Sequence, residues 1–183
     1  MTEKGYVMSE KPKISTKNLV ITALFIALSF VGANIKVFGT VAFDSTPGFL
    51  ASLLLGPVYG AAIGSLGHLF TAATSGFPLT VPLHLVIALS MAVTMLGFGF
   101  TYKTVQKKFR AAVGLVLTGI AGIVLNGPVS MAMSMGAMAL MAGTEAATGL
   151  LIFFPALMIA AAANTAISIV LFKPLKGIWS KYK

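Results

Sequence analysis

Cysteine is absent from the 183 residues, which excludes disulfides, thiolate metal sites and cysteine nucleophiles and leaves the redox compartment open. Acidic residues number four, Glu3, Glu10, Asp44 and Glu145, so paired-carboxylate chemistry has almost nothing to draw on. The sequence carries no G-x-x-x-x-G-K-[ST] phosphate loop, so the chain is not itself an ATPase. Charge of any kind is scarce: 9% of residues are charged, 57% are hydrophobic and the mean hydropathy is +0.96. That balance lies well beyond a soluble domain and assigns the chain to a lipid bilayer.

What charge there is falls in three places. Twelve of the thirteen Lys and Arg residues form clusters, Lys4, Lys11, Lys13 and Lys17, then Lys103, Lys107, Lys108 and Arg110, then Lys173, Lys176, Lys181 and Lys183. Long apolar tracts separate them, so under the positive-inside rule they are three cytoplasmic segments of a multi-pass protein of the cell membrane. The net charge of +9 would suggest nucleic acid in a soluble protein. Here the cations flank hydrophobic spans and face lipid headgroups, and no basic-aromatic stripe supports a nucleic-acid partner. The basic start before Leu19–Ala33 superficially resembles a signal peptide, but the long polar leader and the absence of a small-residue cleavage site favour a retained first span.

A span needs about 20 apolar residues, and the tracts divide into an all-α bundle of six transmembrane helices. The expected helices cover 18–34, 46–55, 58–74, 81–102, 111–142 and 150–172. Residues 1–17 form a basic leader, 18–172 the membrane domain and 173–183 a basic tail. Gly56-Pro57 splits the second helix from the third, because Gly ends helices and Pro starts them. Without that split the middle basic cluster would fall outside. The second helix is short for a span and is expected to tilt or to be helped by the preceding segment. Asn126-Gly127-Pro128 is expected to kink or break the fifth. Six spans place both termini in the cytoplasm, and Tyr59, Tyr102, Trp179 and Tyr182 then share one interface, as an aromatic belt does.

Ionisable groups near hydrocarbon cost about 2.5–3.5 kcal/mol on insertion scales and are functional suspects. Asp44, His68, His84 and Glu145 all fall toward the outer side, around Phe77. For Asp44 the alternative is an ion pair with Lys36, for Glu145 a solvated loop position, and for each histidine a packed bridge between helices. Their spacing matches no metal-ligand motif such as H-x-x-x-H, and no metal or other cofactor is expected. Ser90 and Ser130 lack a nucleophile-elbow context. Asn126 and Asn164 can bond either a neighbouring helix or a solute. Five of the ten methionines lie between Met131 and Met141, a soft surface that suits either a flat heterocycle or plain packing. Gly60, Gly64 and His68 recur every four residues, so a neighbouring backbone can come close; Ala23 and Ala27 repeat that spacing in the first helix.

The stretches TALFIALSFVGA, TPGFLASLLLGPVYGAAIGSLGHLF and NTAISIVLFKPLK resemble the substrate-binding S components of energy-coupling factor transporters, and the resemblance covers nearly the whole chain. It implies a non-catalytic six-helix protein that captures a vitamin or vitamin precursor and works with a transmembrane coupling subunit and two ATPase subunits. It further implies that Ala23 and Ala27 dock the coupling subunit. The loops after helices one, three and five would close over the solute, with Asp44, Phe77, His84 and Glu145 as gate and rim and with His68 and Asn126 deeper. GHLFTAATSGFPLTVPLHLVIA is most similar to S components assigned to α-ribazole, the dimethylbenzimidazole nucleoside that completes cobalamin. Other substrates of that family, such as cobalamin, pantothenate or a pyrimidine, remain as alternatives, as does a membrane enzyme using His68, His84 and Glu145 as acid-base groups.

Overall fold

The computed structural model describes residues 15–37 and 41–181. Glu3, Glu10, Lys4, Lys11, Lys13, Tyr182, Lys183 and the side chain of Lys36 lie outside the described residues, and with them the expected Asp44–Lys36 pairing. Helix α1 spans Thr16–Asn34 and leads into a two-residue hairpin, β1 (Lys36–Val37) against β2 (Val41–Ala42), with Lys36 opposite Ala42. Then come α2 (Thr46–Leu54), α3 (Pro57–Thr74), α4 (Val81–Val105), α5 (Ala111–Val124), a π-helical turn Leu125–Val129, α6 (Ser130–Gly149), a 3-10 turn Leu150–Phe153 and α7 (Phe154–Ser180).

The Gly56-Pro57 boundary is a sharp one. Gly56 takes a φ of 117°, a conformation open mainly to glycine, and Pro57 occupies the first turn of α3, where a missing N–H costs nothing. Helix α2, with nine residues, is short for a span. All residues from Thr46 to Leu53 are buried, so protein rather than lipid surrounds it. Close approach makes this possible: a Cβ on Gly60 would collide with Ser52, and one on Gly48 would lie 3.3 Å from the Gly64 Cα. The Gly60/Gly64 face of α3 thus receives the α2 backbone. Ser52 donates to both Gly48 O and Met95 O, 3.0 and 3.1 Å away, and Phe49 meets Phe98 edge-on at 4.8 Å in the core.

Asn126-Gly127-Pro128 lies in the π-helical turn, which absorbs the proline without ending the helix. The true break comes later, at Gly143 (φ 89°, ψ 168°), after which the chain turns back toward α7. Helix α7 continues past the expected end at Phe172 and carries Lys173 and Lys176 on its last turns; Lys176 lies 5.4 Å above the Phe172 ring. A lysine stem can lie along apolar surface while its ammonium reaches the polar layer, so charge alone does not stop a helix.

Contacts at one end gather the basic segments. Asn18 donates to the Tyr59 hydroxyl at 3.3 Å, the Lys17 ammonium lies 4.9 Å from the Trp179 ring, and Tyr102 packs edge-on against Phe172 at 5.3 Å. The start of α1, the α2–α3 turn, the end of α4 and the end of α7 therefore meet. Among the described residues, Thr16–Asn34, Val81–Val105 and the helical run Ala111–Ser180 are long and apolar enough to cross a membrane. Their outward faces carry large bare apolar side chains, Leu140 at 92% and Val170 at 70% exposure among them. Water would penalise such a surface and lipid would not, which points to a membrane protein.

Candidate functional site

At the end opposite the basic segments a cavity of about 490 Å³ opens between α3, α4, the π-helical turn, α7 and the segment after β2. Asp44, Ser45, His68, Met91, Asn126 and Ser130 supply its more polar or soft wall, and Phe153 of the 3-10 turn with Leu157 and Ala160 of α7 the opposite one. Its volume suits a small organic molecule, for which pockets run to roughly 300–1,000 Å³.

Asn126 is 2% exposed, and its Oδ1 is buried with no hydrogen-bond partner among the described residues. A buried amide oxygen normally has a partner, and leaving one without costs about 1–3 kcal/mol. The π-helical turn explains the placement, since its wider winding carries Asn126 to the cavity while Leu125 O stays tied to the Thr94 hydroxyl at 3.2 Å. Asn164, the second intramembrane asparagine, is used quite differently. Its Oδ1 accepts from Thr46 N–H (2.9 Å) and the Thr46 hydroxyl (2.7 Å), and its Nδ2 donates to Ala42 O (2.8 Å) and Ala160 O (2.9 Å). It therefore clamps the segment bearing Asp44 onto α7.

Asp44 is half-buried on the cavity wall, where desolvation pushes its carboxyl above the ordinary carboxylate range and the Ser45 hydroxyl, 3.1 Å away, partly opposes that rise. His68 and His84 touch, Nε2 to Nδ1, at 3.1 Å. In a neutral pair one ring donates and the other accepts, so the two outward nitrogens are always one donor and one acceptor. Among the described residues the buried Nε2 of His84 has no partner. Phe77 packs on His84 with ring centroids 5.7 Å apart and itself sits at φ 50°, a strained setting for a bulky residue, held by its N–H bond to Ala72 O at 2.8 Å.

Of the residues singled out by sequence, Asp44, His68 and Asn126 line one cavity, and His84 with Phe77 backs His68. Glu145 is exposed beyond the Gly143 break and is not on the cavity wall. Ala23 and Ala27 lie on the other side of α3 from this site, exposed in an apolar groove of about 490 Å³ with Ile26, Phe30, Phe70 and Thr74. Sequence reasoning missed Met91, Ser130, Phe153, Leu157 and Ala160. A signal existed for the last three, since Phe153, Leu157, Ala160 and Asn164 recur at helical spacing and form one stripe running from the end of the 3-10 turn into α7. Among the described residues no three His, Asp or Glu side chains gather as a metal site would require.

A family model described as ECF transporter, substrate-specific component, matches residues 17–176. No curated protein and no solved structure matches the chain.

Proposed function

The chain belongs to the substrate-specific components of ECF transporters, and on that premise we propose that it captures α-ribazole from outside the cell in the cavity between α3, α4 and α7. As a member of that family it is a membrane-embedded substrate-binding subunit rather than an enzyme. The finer reading is of six spans with both termini cytoplasmic in the cell membrane. The loaded chain passes its solute through a transmembrane coupling subunit that two ATPase subunits drive, and Ala23 and Ala27 face the coupling subunit.

The observation that carries the solute site is Asn126, a buried amide whose oxygen has no partner among the described residues, on the wall that also holds Asp44 and His68. A sugar hydroxyl is the natural partner for such a set, since it both donates and accepts. Among the described residues no Lys or Arg lines the wall, so a carboxylate such as pantothenate finds no cation there to offset its charge. A complete corrinoid would overfill the volume, whereas a nucleoside fits it. Phe77 and Glu145 belong to the rim in this reading, with His84 holding His68 in place.

Titration calorimetry of the purified chain with α-ribazole, dimethylbenzimidazole and cobalamin tests the proposal, with binding of the nucleoside and weaker response to the other two as the expected order. Mass spectrometry of solute extracted from the protein supplies the independent check. Tight binding of a different vitamin would discard α-ribazole and keep the importer; chemical conversion of a bound solute without partners would discard the importer.

A further inference from the structure

A second, smaller cavity of about 140 Å³ opens beside the first, between α4, α6, the 3-10 turn and α7. Its own walls are Leu79, Leu83, Met131, Ser134 and Leu150, and it shares Ile87, Ser130, Phe153 and Leu157 with the larger cavity. The two are therefore adjoining chambers. Among the described residues its two polar side chains have their hydroxyls engaged: that of Ser134 donates to Ser130 O at 2.9 Å, and that of Ser130 is bonded to that of Ser90. An apolar void of about 150 Å³ lined by Leu, Ile and Phe stays dry and takes up benzene. The small chamber has about that volume, and Leu, Ile, Met and Phe side chains make most of its wall beside Ser130 and Ser134.

We infer that the small chamber is a specificity pocket for an apolar six-membered ring, so that the solute is a fused aromatic base whose carbocyclic edge enters it while a hydroxylated portion stays among Asp44, His68 and Asn126. This rests on the reading of the larger cavity as the solute site. The division of chemistry between the chambers gives the solute its polarity: flat and apolar at one end, hydrogen-bonding at the other. Met131, backed by Met135 and Met138, gives the pocket a wall that can mould to ring substituents. Bases without a fused carbocycle would leave the chamber empty and lose its contribution.

The test uses the full chain in lipid nanodiscs and a fluorinated benzimidazole followed by ligand-observed fluorine NMR. Saturable binding is expected in the wild type and its loss in Ser134→Phe, whose ring would fill the chamber. Leu79→Trp, at a separate wall, gives a second filled chamber should the first variant fail to assemble. In competition, α-ribazole should displace the probe at least ~100-fold better than an imidazole ribonucleoside, because each methylene in an apolar pocket is worth a factor of about 10–200. Both filling variants should erase that preference. If the probe does not saturate the wild type, or binds the filled variants equally well, the pocket is refuted. If the probe behaves as expected and neither nucleoside binds, the pocket stands and the α-ribazole reading falls.

Discussion

Replacing each intramembrane asparagine by alanine should separate two roles that the same residue type plays in this bundle. Asn164→Ala removes an amide with four hydrogen bonds, two on each of its polar atoms. Truncation orphans Thr46 N–H and Ala42 O, each at about 1–3 kcal/mol if no replacement arrives. Ala160 O keeps its place in the α7 ladder and the Thr46 hydroxyl can turn, so they add little. Ala42 also lines the cavity, where water can reach it, so a net loss of about 2–4 kcal/mol is expected. Asn126→Ala removes an oxygen with no partner and should leave stability within about 0.5 kcal/mol of wild type, or raise it. Its effect should appear on the solute, as a loss of about 1–3 kcal/mol or roughly 5–150-fold in affinity. Thermal unfolding in detergent, with and without the solute, alongside calorimetry reads both quantities on both variants. Equal destabilisation by the two substitutions, or an Asn126→Ala variant that binds solute as wild type does, would refute the assignment.

Because the chain has no native cysteine, single thiols report topology without background. A cysteine replacing Lys107 should be shielded from an impermeant reagent added outside, whereas one replacing Thr80 should react; the reverse pattern rejects cytoplasmic termini. Trp in place of Ala23 or Ala27 should abolish uptake by the assembled transporter while the isolated chain still binds solute, since both alanines are exposed and away from the cavity; parallel loss of both activities counts against docking. Asp44 sets a pH dependence. Its carboxyl, raised from an ordinary value of 3.8, keeps its proton in the folded chain where the unfolded chain has released it. The stability this gives is therefore full below 3.8 and declines as pH rises through the raised folded value, so Asp44→Asn should flatten that slope in melts across acid pH. A slope unchanged by the substitution would assign it to other groups.

Helix boundaries were legible in the sequence wherever a backbone constraint marked them, as at Gly56-Pro57 and at Ser75 to Thr80, because glycine and proline act locally. The β1–β2 hairpin was not legible, since two paired residues leave too short a pattern. Asn126-Gly127-Pro128 announced a disturbance, but its form depended on packing: Thr94 holds Leu125 O, and the turn widens instead of breaking. Asn126 and Asn164 looked alike in sequence because their partners come from distant segments. The contact between His68 and His84 likewise needed the α3–α4 turn, with Gly76 at φ 75° and Phe77 at φ 50°, to bring two early and late helix positions together. Glu145 joins the others in sequence through its charge, its outer-side loop and the resemblance, and in the structure it lies beyond the Gly143 break with its side chain exposed.

The Asn164 clamp also orders events during synthesis. Thr46 and Asn164 are separated by 118 positions, so the segment bearing Asp44 emerges and enters the bilayer long before its partner exists. Until α7 arrives, Thr46 N–H and Ala42 O lack the amide that satisfies them in the mature bundle, and the wall formed by Phe153, Leu157 and Ala160 is missing as well. A nascent chain that stops short of α7 should therefore lack the proposed solute site. Completion of the last helix closes the compartment and fixes its first wall in a single step, so translation stalled before Asn164 should yield inserted, correctly oriented protein that is blind to its ligand.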